Sequence, residues 1–173
     1  MITIHVSGLD KAIDDIDALN SKLDDAAHDI VNSLALIGYD VAYQIMAGNV
    51  YTGETIGSLT IVENDPTHYT LLADSKAILF FEFGAGVYGV GHPQAGEFGM
   101  GAGTYPNQTH ALDPNGWWFP TDDPDLALHY DESGQGWGHS YGNPPHMPFY
   151  NAGLQIKADL EAVVREVFSS WKP

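Results

Sequence analysis

The sequence contains no cysteine, so neither a disulfide nor a zinc–thiolate site is open to it, and a reducing compartment is compatible with its chemistry. It is almost as short of cations. Six Lys and Arg stand against 23 Asp and Glu, a formal charge of −17. A surface of that sign repels nucleic-acid phosphates and anionic lipid headgroups, which argues against binding through a basic electrostatic footprint. It suits basic partner surfaces, or simply solubility at high local concentration. No uninterrupted apolar run approaches the ~18 residues that span a bilayer, and the longest, ILFFEF, is strand-sized, so no membrane association is expected. After Met1 the chain reads ITIHVSGLDK, without the positive start and apolar centre of a secretory signal, so none is expected.

What is present is a globular composition. Hydrophobic residues make up 44% of the 173 and charged residues 17%, enough for one domain, or one domain with a large insertion. A chain of this length buries roughly 70% of its unfolded surface. From about Leu9 to Met46 apolar residues recur at Ile13, Ile16, Leu19, Leu23, Ala27, Ile30, Leu34, Ile37, Val41 and Ile45, steps of three and four that form one helical stripe. Asp14, Asp15, Asp17, Asp24, Asp25 and Asp29 load the other face. Ser7 or Asp10 can cap the start and Gly48-Asn49 supplies a stop, with an internal break near Gly38 left open. So long and narrow a stripe can run beyond its own domain and pack on a neighbour.

After Gly53 the period changes. SLTIVE (58–63) and HYTLLA (68–73) have strand character, joined by Asn64-Asp65-Pro66. AILFFEF (77–83) predicts a third strand, with Ile78, Phe80 and Glu82 on one face and Leu79, Phe81 and Phe83 on the other. Residues 84 to about 144 are rich in glycine and proline, carry three of the four tryptophans, and have little periodicity beyond a short strand candidate at WWFP (117–120). So long a stretch signals function or partner-dependent order. A second helix follows from about Asn151 to Trp171, with Leu154, Ala158, Leu160, Val164, Val167 and Phe168. The expected fold is α+β: an N-terminal helix (1–50), a small antiparallel sheet (51–86), an inserted loop region (87–144) and a strand or turn leading into a C-terminal helix (145–173), in a single domain with the helices packed on the sheet.

Five of the eight histidines (His92, His110, His129, His139, His146) lie in or beside the insertion, near Asp122, Asp123, Asp125, Asp131 and Glu132. A metal-assisted hydrolase could draw ligands from such a set, yet no pair has a recognisable ligand spacing and no calcium loop is present. No GxSxG elbow marks a serine nucleophile, and GAGVYGVG is not a phosphate cradle, because His92-Pro93 rather than a helix follows it. Trp117, Trp118 and Trp137 could form a sugar-stacking platform. Glu82 is the sharpest single question. In the stretch FFEFGAGVYGVG (80–91) it is either an acid raised for catalysis by apolar surroundings or a structural carboxylate that must find a partner.

Three segments in order give the chain a likeness. YTGETIGSLTI (51–61), FFEFGAG (80–86) and PPHMPFYNAG (144–153) resemble the neck, or tail-completion, family of long-tailed bacteriophages, whose members are also described as minor capsid or tail-component proteins. The matching positions are Thr52, Gly53 and Leu59, then Glu82, Phe83 and Gly84, then Pro148, Phe149 and Ala152, and the likeness covers about 115 residues at the two ends. The stretch from about Val87 to Asn143 is much longer than the family's usual linker. The resemblance implies a virion structural protein without chemistry or cofactor. It implies a homo-oligomeric ring between head-closure or connector proteins and the tail tube or tail terminator, with DNA passing through unbound. In it Glu82 is structural, Gly84 and Gly86 let the chain leave the sheet, and Phe83, Trp117, Trp118, Trp137, Pro148 and Phe149 are interface or structural residues.

Overall fold

A computed structural model describes residues 8–49, 53–75, 77–101, 103–104, 112–169 and 171. Thr52 and His110 lie outside the described residues. The fold is α+β, with a long N-terminal helix, a C-terminal helix and small antiparallel sheets.

Helix α1 (Leu9–Gly48) runs without a break. Gly8 stands at its N-cap with φ 91°, Asp10 lies in the first turn, and Asn49 closes the last turn by donating its side-chain amide to the Ile45 carbonyl at 2.8 Å. Gly38 is a packing residue rather than a hinge. A Cβ there would come 2.7 Å from Ile156 Cδ1, so its absence lets the C-terminal helix cross closely. A one-turn helix, α2 (Gly53–Gly57), leads into a hairpin of β1 (Leu59–Asp65) and β2 (His68–Ala73), whose register runs from Leu59 opposite Ala73 to Asp65 opposite His68. In its turn Asp65 Oδ1 accepts the Thr67 N–H at 2.8 Å, as the Asn-Asp-Pro chemistry predicts.

The expected third strand is a helix, α3 (Ile78–Phe83). Its residues favour strands by type, but among the described residues none of them takes part in a strand ladder. A turn at Ser75, whose Oγ accepts the Ala77 N–H at 3.2 Å, leads into it, and Gly84 leaves its last turn with φ 76°. The two-face assignment of 78–83 therefore fails, and Glu82 takes its direction from a helical turn.

Beyond α3, β3 (Ala85–Gly86) pairs with β7 (Gly142–Asn143) and closes the root of the insertion. Inside it β4 (Trp117–Thr121), β5 (His129–Tyr130) and β6 (Gly136–Ser140) form a sheet of order β4-β6-β5, so the segment is more ordered than its glycine content suggests. Helix α4 (Pro148–Ser169) starts three residues before the periodicity alone indicated. It packs along the second half of α1, and Ala42, Met46, Leu59 and Ala152 form the core where α1, the hairpin and α4 meet. By length and composition α1 could cross a membrane. Its Ala35, Gly38, Ala42 and Met46, however, are buried on the side that packs against α4 and the hairpin.

Candidate functional site

Helix α4 begins with a deficit. Its first turn contains no acidic residue, and the residue before it, Met147, has φ 58° and an apolar side chain that cannot cap. Pro148 has no N–H to satisfy, which leaves Phe149 and Tyr150 with the exposed amides of the first turn. Glu82 supplies the cap from a distant part of the chain. Its Oε2 accepts the Phe149 N–H and its Oε1 the Tyr150 N–H, both at 2.9 Å. A carboxylate at this point also meets the positive end of the α4 dipole.

The third partner is His92, whose Nε2 lies 3.1 Å from Glu82 Oε1. His92 Nδ1 accepts the Gln94 N–H at 3.1 Å, so the imidazole proton sits on Nε2 and is donated to Glu82. The His92 side chain is 1% exposed and that of Glu82 8%. Phe83 packs beside the pair, its ring 4.4 Å from the His92 ring and 5.8 Å from that of Phe98. The carboxylate is therefore a structural joint with three hydrogen bonds. It does accept backbone N–H groups, as the sequence allows, but those of α4 rather than of the turn that follows it.

The glycines complete the joint. Gly86 has φ 67°, and a Cβ there would lie 2.5 Å from the Tyr141 carbonyl oxygen and 2.8 Å from the Trp117 ring. Gly84, at φ 76°, comes within 2.8 Å of the Pro145 nitrogen by the same measure. Asn143 donates its amide to the Phe80 carbonyl at 2.8 Å, and the His146 N–H reaches the Phe81 carbonyl at 2.9 Å. Two segments more than 60 positions apart are thus bonded side by side.

Two clefts flank the joint. One, of about 460 Å³, lies between the hairpin and α3 and touches Glu82, His92 and Tyr150. Both imidazole nitrogens are already engaged, so His92 has no free lone pair with which to act as a base there. The other, of about 540 Å³, is lined by Phe80, Phe81, Trp117, Asn143 and His146. Burial lowers the pKa of His146 from its usual 6.5.

The tryptophans do not form one platform. Trp117 and Trp118 alternate along β4; Trp117 lines the second cleft, and Trp118 projects outward, half exposed. The outer face joins Trp118 to the His129 and His139 rings, 4.9 and 4.7 Å away, with His139 in turn 4.9 Å from Tyr141. Trp137 donates its indole N–H to Asp131 at 3.1 Å, and the Asp131 carboxyl is held down at about 2 by hydrogen bonds from Ser133 and Trp137. Among the described residues no group of three or more His, Asp or Glu is placed to hold a metal ion. Pro148 is fully buried at the start of α4, and Phe149 packs against the core.

Sequence reasoning missed His92, Met147 and Asn143 as parts of the joint. One signal was available: an apolar-flanked carboxylate needs partners, and a helix opening on Met-Pro lacks its own cap. Comparison with known proteins finds no family model that matches this chain, and no curated protein or solved structure that is significantly similar to it.

Proposed function

We propose that the chain is a structural protein of a phage head-to-tail neck, working in tail completion as one subunit of a ring through which DNA passes. One observation carries the proposal. The two motif segments FFEFGAG and PPHMPFYNAG, matched by residue type and order in the sequence, meet in a single joint through Glu82 and the amides of Phe149 and Tyr150. Motifs that cooperate in one joint form a unit, which chance matches have no reason to do. The neighbours in this proposal are head-closure or connector proteins on one side and tail tube or terminator proteins on the other. The half-exposed aromatics of the insertion, Trp118, Tyr88 and Tyr141, suit the contacts of such a ring. An acidic lumen would let DNA slide without phosphate contacts. The protein would then be made in the host cytoplasm and reside in the virion.

Light scattering on a sizing column, over a range of concentrations and with neck and tail partners added, tests this. A discrete ring, or a monomer that assembles when partners are present, is the expected result. A strict monomer indifferent to them, particularly one carrying stoichiometric metal, would sink the ring and return the histidine-rich insertion to a hydrolase. The outer face with Trp118 and Trp137 favours one other reading, a carbohydrate-binding module, which tryptophan quenching by glycans would reveal.

A further inference from the structure

Among the described residues, roughly the first four to five turns of α1 are left exposed. Every residue from Gly8 to Asp25 is exposed, and Ala26 is the first buried one. At about 1.5 Å per residue the helix therefore projects about 25 Å beyond the packed domain. This overhang is not polar all round. Leu9, Ile13, Ile16, Leu19 and Leu23 lie along one side of it and are 44–64% exposed. The same stripe continues into Ile30, Leu34 and Ile37, which the domain half-buries. A solvated stretch has no need of a stripe in register with a packed one.

Charge says what fits it. Asp10, Asp17 and Asp24, seven residues apart, each follow a stripe residue and form an all-acidic row along one edge. Lys11 and Lys22 fall on the far side of the helix, and Lys11 is paired with Asp15 at 3.0 Å. The overhang of a second copy has nothing basic to lay along that row. Antiparallel, the two rows would face each other; parallel, each would meet the uncharged Ala12 and Leu19. The other described cations, Lys157 and Arg165, stand on α4 among Asp159, Glu161 and Glu166, with Arg165 paired to Glu161, so a complementary basic edge fits a different protein better than a second copy.

We propose that the overhang of α1 is a docking helix for a different protein, whose receiving surface is an apolar groove edged by Lys and Arg. This goes beyond the ring reading and does not rest on it.

The test uses the full chain and two synthetic heptad peptides, with Ile and Leu along the seam and either Lys or Glu at the flanking positions. Calorimetry should show saturable binding of the Lys peptide, weakened several-fold when salt rises from about 0.05 to about 0.5 M, and none of the Glu peptide. The double variant Ile13→Glu/Ile16→Glu should lose binding. The triple variant Asp10→Asn/Asp17→Asn/Asp24→Asn should bind several-fold more weakly and with little response to salt. Equal binding of both peptides, or no binding of the Lys peptide, overturns the proposal. So does a self-associated form, seen by light scattering without peptide, that Ile13→Glu/Ile16→Glu dissolves, since a second copy would then be the occupant. A ring that persists in this double variant while peptide binding is lost supports it, and keeps the two proposals separable.

Discussion

The two halves of α1 have the same apolar period and opposite surroundings. From Ile30 onward the stripe is half-buried by the domain, and Ala42 and Met46 beside it are wholly excluded from solvent. Before Ala26 the same period faces water. Periodicity thus marks an apolar face, while what covers it here is decided by how far α4 extends. Helix α4 has 22 residues against the 40 of α1, so it cannot reach the first half.

Substitutions in the anchored part should be costly, and the largest effect belongs to the joint that fixes where α4 begins. Glu82→Ala strips the cap from Phe149 and Tyr150 and leaves the His92 proton without its acceptor, all in a buried place. A loss of about 4 kcal/mol in unfolding free energy is expected, because buried partners left unpaired keep their desolvation cost. Glu82→Gln retains one acceptor oxygen and should lose about half as much. Equal stability of wild type and Glu82→Ala in urea titration would show that the cap is not holding α4. Met46→Ala comes next. The side chain is fully buried where α1, β1 and α4 meet, and deleting it should cost about 3 kcal/mol.

Acid should act through His146, which lies between the joint and the second cleft. Burial disfavours its charged form, so the folded pKa lies below the unfolded 6.5. The unfolded chain then takes up the proton first. Stability is full above about pH 6.5 and declines as the pH falls from there towards the folded value. Relief of self-repulsion in so acidic a chain works the other way, so the useful quantity is a difference. The stability gap between wild type and His146→Phe should shift against the wild type between pH 7.5 and pH 5 in urea titrations, and a gap that stays constant would remove His146 from the pH response.

The helices and the hairpin were legible because each satisfies its own local rules. α1 has its stripe and its Asn49 stop, and β1–β2 has alternation about an Asn-Asp-Pro turn. α3 was misread because its aromatic and branched residues carry strand preference, while its N-cap, Ala77, has no side-chain cap and Gly84 is a single residue at its end. The need of Glu82 for a partner could be stated from burial alone. The identity of the partners could not, since His92 sits in a glycine-rich loop and the amides of α4 carry no side-chain signature. The sheet of the insertion was legible only at WWFP; β6 (GWGHS) hides because Gly136 lies against the Thr121 carbonyl and Gly138 under the Phe119 ring, where any Cβ would collide.

The smallest stability effect is the one that separates the halves of α1 most cleanly. Ile16→Ala removes from the overhang a branched side chain comparable in size to the Met46 side chain removed from the core, yet Ile16 is 57% exposed and Met46 not at all. Alanine is also the better helix former, which offsets part of any loss. The change in unfolding free energy should therefore stay within about 0.5 kcal/mol, against about 3 for Met46→Ala. A cost approaching that of Met46→Ala, measured at a concentration where the chain is monomeric, would mean that the first half of α1 is covered by its own domain. A cost that grows with protein concentration would mean that it is covered by another copy. With neither, the stripe contributes nothing to the isolated fold, and what its apolar side chains bind must come from outside the chain.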